Sequence, residues 1–159
     1  PLEELEEVWF IEKIITKRPL FDLIKRILDI ILSLVFVIIF FLPSVFIALL
    51  IKVTSKGPII FKQQRMGKND KVFWLYKFRS MRIEMKGPLW TIEKDNRLTP
   101  IGKILRFTHL DELPQFWNIF KGDIAFVGPR AERIELVEQY KKFPYYEIRH
   151  IIKRGRHKL

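Results

Sequence analysis

Cysteine is absent from the 159 residues of this chain. Its absence excludes disulfide bonds and thiolate zinc sites, and it agrees with a reducing, cytoplasmic environment. The sequence also has no Walker A, GxGxxG or HExxH motif, so it gives no sign of a P-loop, a dinucleotide-binding turn or a zinc protease helix. No internal repeat or low-complexity stretch is present. The chemistry of this protein must therefore be sought in other side chains and other motifs.

Negative charge is scarce relative to positive charge. The chain has 29 Lys and Arg against 18 Asp and Glu, which gives a net charge of +11. Such an excess predicts an anionic partner, and the candidates are nucleic acid, anionic lipid headgroups and a phosphorylated substrate. The length suits one globular domain beside a membrane element.

An uncharged apolar run occupies residues 30–51. Its 22 residues are long enough to cross the hydrocarbon core as a helix, which takes about 17–25 residues. However, Pro43 lies inside the run, and a proline removes a backbone donor and kinks a helix. Both flanks are basic, and basic flanks tend to stay cytoplasmic. We therefore predict that residues 20–54 enter the membrane, bend near Pro43 and leave on the same face, which makes a lipid bilayer a partner and argues against nucleic acid.

Hydrophobic periodicity predicts an α+β fold in which helices predominate. A short amphipathic helix is predicted at residues 2–15 and is interpreted as packing or linker. Short strands are predicted at residues 59–61, 72–78 and 124–127, and helices at residues 101–107, 114–120 and 132–142. The polar residues 84–100 are predicted to form a long loop, of a kind that often carries function. At the entrance to the apolar run, Asp29 is expected to pair with Lys25 or Arg26 at helical spacing.

Two adjacent carboxylates, Asp111 and Glu112, precede a proline in the segment LDELPQ. Because proline is favourable in the first turn of a helix, both carboxylates are predicted at or just before a helix N-terminus, where N–H groups favour anions. Ordinary capping is the alternative, since Thr108 and Asp111 have the spacing of a capping box. The three histidines have no ligand-like spacing and are interpreted as surface or packing residues, although His109 is close enough to the carboxylates for proton transfer.

Four arginines lie beside predicted turns or element ends: Arg79, Arg97, Arg106 and Arg130. The planar guanidinium fork suits phosphate oxygens. One such arginine is ordinarily a surface residue, but four around a pair of carboxylates predict a phosphate site. Mg²⁺ typically binds one or two carboxylates plus substrate phosphates. The carboxylates available for such an ion are Asp95, Asp111, Glu112 and Asp123.

From residue 20 to residue 152 the chain resembles the bacterial sugar transferases, the monotopic phosphoglycosyl transferases that begin exopolysaccharide, O-antigen and glycoprotein glycan assembly. Five motifs in the family's order carry this resemblance. They are KRILDIILS at 25–33, SKGPIIFKQQRMGKN at 55–69, YKFRSM at 76–81, DNRLTPIGKILR at 95–106 and LDELPQFWNIFKGDIAFVGPR at 110–130. Residues 1–10 also look like the stretch that joins this domain to an N-terminal membrane part in larger members, so residues 1–19 are assigned to such a linker.

The resemblance implies the transfer of a sugar 1-phosphate from a UDP-sugar to a polyprenyl phosphate, usually undecaprenyl phosphate, with release of UMP and use of Mg²⁺. It implies that Asp111 is the nucleophile of a covalent phosphosugar intermediate. Glu112 matches its partner in metal binding or proton transfer, so the implied metal ligands are Asp111 and Glu112. The family's re-entrant helix, broken at a proline, places a catalytic domain of residues 55–152 on the cytoplasmic face of the bacterial inner membrane.

The basic residues of the motifs acquire expected roles from the same resemblance. Arg106 and Arg130 match positions near the phosphates. Lys77, Arg79 and Arg97 match positions around the nucleotide.

Three positions depart from the family's pattern. Leu42 stands where a serine usually precedes the proline, Ala131 where a proline is common, and Arg154 where the proline of a PGITG-containing stretch is expected. Residues 153–159 are therefore assigned to an atypical, truncated tail. The alternative function is a catalytically inactive, membrane-bound module that binds a UDP-sugar or a lipid phosphate. The sequence leaves open which sugar is transferred and whether copies of the chain form a homo-oligomer.

Overall fold

The computed structural model describes residues 19–82, 95–140, 142 and 155–157. Nearly all of the linker predicted at residues 1–19 lies outside the described residues. So do most of the loop predicted at residues 84–100 and residues 153, 154, 158 and 159 of the predicted tail. The described part is mixed, with helices predominating over short strands, as predicted.

Two consecutive helices, α1 (Pro19–Ile39) and α2 (Phe41–Thr54), contain the apolar run. They are bent by 58° at a break that falls at Phe40, three residues before Pro43. Pro43 has no N–H to donate to the carbonyl of Ile39, and its ring would clash with that carbonyl in a continuous helix. The break therefore falls one turn before the proline. Among the described residues, neither helix alone has the length and apolarity to cross a bilayer, whereas the bent pair meets both requirements jointly.

An antiparallel hairpin follows, formed by β1 (Ile60–Met66) and β2 (Val72–Phe78). Arg65 pairs with Phe73, and Phe61 pairs with Lys77. The turn between the strands contains Asn69 and Asp70, both at positive φ. The β2 strand has the predicted bounds, whereas β1 is longer than the predicted 59–61, because its polar residues also pair with the aromatic β2 strand.

Three short helices and a second small sheet complete the described part. The helices are α3 (Pro100–Phe107), α4 (Gln115–Lys121) and α5 (Ile134–Tyr140), and each lies where the periodicity predicts one. Gly122 ends α4 in a left-handed conformation with φ 93°. The strand β3 (Ala125–Val127) pairs in parallel with β4 (Gly155–His157), so part of the stretch assigned to the tail belongs to a sheet.

The bent pair and the short elements share one hydrophobic core. Ile47 and Ile51 of α2 are buried in the same cluster as Phe78, Leu105 and Phe116. On the α1 side, the rings of Phe36 and Phe116 stack with centroids 4.7 Å apart. The pair is therefore packed against the domain that carries the carboxylates.

Charged residues near the start of the apolar run fasten α1 to this domain. Arg26 donates to the carbonyls of Ile119 and Phe120 at the end of α4, both at 2.7 Å. The expected ion pair between Asp29 and Lys25 is present at the upper limit of the distance for such pairs. Oδ2 of Asp29 lies 4.0 Å from Nζ of Lys25. The Asp29 carboxylate is buried, and it accepts a hydrogen bond from the Phe126 N–H at 3.2 Å. These charges therefore join α1 to α4 and β3.

Candidate active site

One cavity of about 580 Å³ is lined by all seven residues that the sequence predicts for substrate and metal. They come from β2 and the residue directly after it, from the segments on either side of α3, from α3 itself and from the loop after β3. These residues are Lys77, Arg79, Arg97, Arg106, Asp111, Glu112 and Arg130. The remaining predicted position, Pro43, lies in the first turn of α2 and does not line this cavity.

Asp111 lies in a short 3₁₀ turn, Leu110–Glu112, between α3 and α4. His109 precedes this turn in a left-handed conformation with φ 57°, which redirects the chain after α3. Among the described residues, the two that precede the turn and α4, His109 and Pro114, form no side-chain capping hydrogen bond. Thr108 instead donates its hydroxyl to the carbonyls of Ile104 and Leu105. The capping alternative therefore does not account for Asp111, whose side chain faces the cavity.

Burial raises the pKa of the Asp111 carboxyl above its usual value. The charge of Lys77 opposes this shift most strongly, and the charges of Arg106 and His109 oppose it further. Glu112 reinforces the shift, because a second negative charge disfavours ionisation. Asp111 is thus a desolvated carboxyl group that nearby cations help to keep ionised.

Lys77 and Glu112 form an ion pair at 2.5 Å between Nζ and Oε1. The position of Lys77 depends on Asn118 of α4, which is fully buried. Asn118 accepts from the Tyr76 N–H at 3.1 Å and donates to the Trp74 carbonyl at 2.7 Å. One amide side chain therefore holds β2 against α4 and brings Lys77 to Glu112.

Arg79 lines the cavity, but its guanidinium is directed at the end of α2. Nη1 donates to the Lys56 carbonyl at 2.8 Å, and Nη2 donates to the Ser55 carbonyl at 2.9 Å and to Ser55 Oγ at 2.6 Å. The side chain is buried. Arg79 thus joins the bent pair to the strand that carries Lys77.

The other predicted arginines differ in their partners. Arg97 forms two side-chain hydrogen bonds to Asp95, at 2.8 and 2.6 Å, and this holds the pKa of the Asp95 carboxyl at about 2. Arg106 donates from Nε to Ser80 Oγ at 2.8 Å, and burial lowers its pKa. Arg130 is exposed at the rim.

Only two of the four candidate metal ligands come together. Asp95 is engaged by Arg97, and Asp123 accepts from Asn118 at 2.9 Å and from Lys121 at 3.3 Å. Within the part of the chain that the structure describes, no cluster of three or more His, Asp or Glu could hold a metal. Asp111 and Glu112 remain as adjacent carboxylates in the cavity.

Sequence reasoning missed three arginines of the cavity lining, Arg65, Arg82 and Arg133. In the sequence, Arg65 stands out only as one of the basic residues that follow the apolar run. The alternation of Phe61, Gln63 and Arg65 on one face of β1 is the signal that could have identified it. Arg133 has no comparable signal in the sequence.

Comparison with known proteins identifies relatives over most of the chain. A family model described as bacterial sugar transferase matches residues 20–157. A UDP-N-acetylgalactosamine-undecaprenyl-phosphate N-acetylgalactosaminephosphotransferase of Aeromonas hydrophila is 40% identical over 140 residues, which cover 86% of this chain and 33% of that protein. The exopolysaccharide production protein PSS of Rhizobium leguminosarum bv. phaseoli is 42% identical over 139 residues, which cover 83% of this chain and 70% of that protein.

A third relative is the UDP-glucose:undecaprenyl-phosphate glucose-1-phosphate transferase of Escherichia coli (strain K12). It is 39% identical over 136 residues, which cover 84% of this chain and 29% of that protein. The chain therefore matches about a third of the length of the Aeromonas and Escherichia proteins.

Proposed function

The chain belongs to the bacterial sugar transferase family, and from that premise we propose that it transfers a sugar 1-phosphate from a UDP-sugar to undecaprenyl phosphate. The observation that carries this proposal is the buried Asp111 in a cavity that is also lined by Lys77 and several arginines. The names of the Aeromonas and Escherichia relatives support undecaprenyl phosphate as the acceptor. Because one name specifies N-acetylgalactosamine and the other glucose, the sugar must be found by experiment.

In the first step, a carboxylate oxygen of Asp111 attacks the phosphorus that carries the sugar. The P–O bond to the nucleotide breaks, and UMP leaves with the electrons of that bond. In the second step, a phosphate oxygen of undecaprenyl phosphate attacks the same phosphorus, the bond to Asp111 breaks and the carboxylate is regenerated. Covalent catalysis of this kind divides one difficult transfer into two easier steps.

The cations around Asp111 suit both steps. Lys77 and Arg106 lower the pKa of the buried carboxyl, so they favour the ionised form that can attack phosphorus. Charge on a transferring phosphoryl group is stabilised by fixed positive groups in a site that excludes water. Arg106 and Arg130 are the arginines that we assign to the phosphates. Arg79 acts as a positioning residue, because its guanidinium is bonded to the end of α2.

Two adjacent carboxylates fit Mg²⁺, which binds hard oxygen ligands and often shares them with substrate phosphates. Asp111 and Glu112 would hold the ion. When bound, Mg²⁺ would neutralise charge on the substrate phosphates. The protein's own contribution is to keep Glu112 in place through its contact with Lys77.

The bent pair α1–α2 is proposed to enter and leave the membrane on one face. With 14 residues, α2 is about 21 Å long, which is shorter than a hydrocarbon core of about 30 Å. Both ends of the pair are held by one domain, since Arg26 bonds to α4 and Arg79 bonds the end of α2. Many side chains of the pair are exposed and apolar, including Ile38, Leu42 and Phe46. We place this face on the cytoplasmic side of the bacterial inner membrane, because both flanks of the apolar run are basic and basic flanks tend to stay cytoplasmic.

The test is UMP release by the detergent-extracted protein with undecaprenyl phosphate and a panel of UDP-sugars. Asp111→Asn should abolish both UMP release and the covalent phosphosugar enzyme. Asp70→Asn is a matched control, because Asp70 is exposed in the β1–β2 turn and tolerates asparagine at its positive φ. Binding of a UDP-sugar without UMP release from the unaltered protein would favour the inactive binding module instead. Normal turnover by Asp111→Asn would refute the role of Asp111.

A further inference from the structure

Phe61 is a large apolar residue in a cavity whose lining is mainly charged or polar. It is 48% exposed. The other apolar residues that the structure describes in this lining are Phe78, which is buried in the core, and Met81, which is partly buried. Single exposed apolar residues are common on protein surfaces. An exposed ring inside the cavity that holds Asp111, however, is available to a substrate.

The strand register places Phe61 at the carboxylate end of the cavity. Phe61 and Lys77 lie directly opposite each other in the β1–β2 hairpin, so their side chains lie on the same face. Lys77 Nζ contacts Oε1 of Glu112, which is the neighbour of Asp111 in the chain. The ring of Phe61 is therefore close to the place where Asp111 would attack phosphorus.

The same end of the hairpin is fastened to the end of the bent pair. The Arg79 N–H donates to the Ile59 carbonyl at 2.9 Å, and the Arg79 guanidinium donates to the carbonyl and the hydroxyl of Ser55, directly after α2. Val53, in the last turn of α2, is 85% exposed, so the exposed apolar surface of the pair extends to this point. Phe61 follows Ile59 by two residues. It therefore lies near the junction between the proposed membrane element and the cavity.

The two proposed substrates differ in what they offer to an apolar ring beside Asp111. In a UDP-sugar, a phosphate and a ribose separate the flat uracil from the phosphorus that is attacked. The apolar chain of undecaprenyl phosphate, by contrast, is joined directly to the phosphate that attacks, and it arrives from the bilayer. We infer that Phe61 contacts the isoprenoid units next to that phosphate and so guides the acceptor to Asp111. This contact rests on the proposed function, because it is assigned to the acceptor of that reaction.

The test measures binding of each substrate class separately. The whole chain in detergent is titrated with undecaprenyl phosphate and, in a second experiment, with UMP. Phe61→Ala should weaken binding of undecaprenyl phosphate by about tenfold, the size expected when one aromatic ring no longer covers an apolar ligand, and should leave UMP binding unchanged. Phe61→Leu should bind both ligands nearly as the unaltered chain does, because an isoprenoid needs apolar surface and not a flat ring. Trp74→Ala is the matched control, since Trp74 is 49% exposed in the same hairpin and does not line the cavity.

Three results would overturn the inference. They are unchanged affinity of Phe61→Ala for undecaprenyl phosphate, a loss of UMP affinity in Phe61→Ala, and a loss of undecaprenyl phosphate affinity in Phe61→Leu as large as that expected of alanine. If Phe61→Ala does not fold, as judged by its melting against Trp74→Ala, the leucine variant decides alone.

UMP release tests the proposed function independently of this contact. Binding of undecaprenyl phosphate through Phe61 without UMP release from the unaltered chain would refute the proposed function and leave the contact in place. Normal UMP release by Phe61→Ala at a low concentration of undecaprenyl phosphate would refute the contact and leave the proposed function in place.

Discussion

Basic residues with similar surroundings in the sequence have different tasks in the structure. The guanidinium group of Arg79 donates to backbone carbonyls, and that of Arg97 pairs with the Asp95 carboxylate. Lys77, by contrast, contacts Glu112 and is the largest electrostatic influence that favours ionised Asp111. Basic residues of the same cavity therefore serve both positioning and chemistry, and the partner atom decides which.

Lys77→Met should shift the acid limb of the pH–rate profile to higher pH. Burial already raises the pKa of Asp111, and loss of the lysine charge, which opposes this shift most strongly, would raise the pKa further. Because the attacking carboxylate must be ionised, activity would be lost at a higher pH as the solution is acidified. The measurement is the pH dependence of covalent-intermediate formation. The control variant, Lys62→Met, should leave the acid limb of the pH–rate profile unchanged. An unchanged acid limb in Lys77→Met would contradict the electrostatic role of Lys77.

Close packing of α3 against the segment after β2 sets the position of Arg106. Thr99 caps α3 by accepting from the Gly102 N–H at 2.9 Å, and the Thr99 N–H donates to the Ser80 carbonyl at 3.0 Å. Ser80 also accepts from Arg106 through its hydroxyl. A Cβ at Gly102 would lie within 3.0 Å of backbone atoms of Ser80. Glycine is therefore required here by the approach of two backbones.

Gly102→Ala should destabilise the protein by about 1–3 kcal/mol, the usual cost of overpacking. On helix propensity alone, alanine would instead stabilise α3 by about 1 kcal/mol, so the sign of the change tests the packing. The free energy of unfolding in detergent is the measurement. Lys103→Ala, at the exposed neighbouring position, should change it by no more than about 0.5 kcal/mol. A Gly102→Ala protein as stable as the unaltered chain would show that α3 does not pack in this way.

For the whole molecule, the same domain holds both ends of the bent pair. Arg26 reaches the carbonyls that end α4, and Arg79 reaches those that end α2. Asn118 then joins α4 to β2. A straight crossing would carry the two ends of the apolar run to opposite faces of a bilayer, and these contacts would be broken.

Single cysteines introduced at Asp22 and at Lys62 should react with a membrane-impermeant thiol reagent from the same face. The chain has no cysteine of its own, so each label reports one position. Both positions are exposed, Asp22 in the first turn of α1, before the apolar run, and Lys62 in β1, after the bent pair. Pro43→Ala restores the missing donor to Ile39 and should move part of the population to a spanning form, with labels on opposite faces. Opposite faces in the protein that retains Pro43 would exclude the re-entrant arrangement.

The sequence by itself predicted most of the described elements and seven residues that line one cavity. Periodicity located both arms of the bent pair, the β2 strand and the helices α3, α4 and α5, because each buries a face that repeats at its own period. Motif order identified the family and the carboxylate pair. Pro43 predicted a break, although the break falls one turn earlier, at Phe40, because the missing donor and the ring both act on the carbonyl four residues back.

Only the tertiary structure decided which partner each charged side chain has. Arg26, Arg65 and Arg79 contact carbonyls that are between 23 and 94 positions away in the chain. Local sequence cannot specify such contacts, because packing of the core brings distant segments together and sets which donors remain for a ligand. Burial of Asp111, which raises its pKa, is likewise a property of the folded cavity and not of the LDELPQ segment.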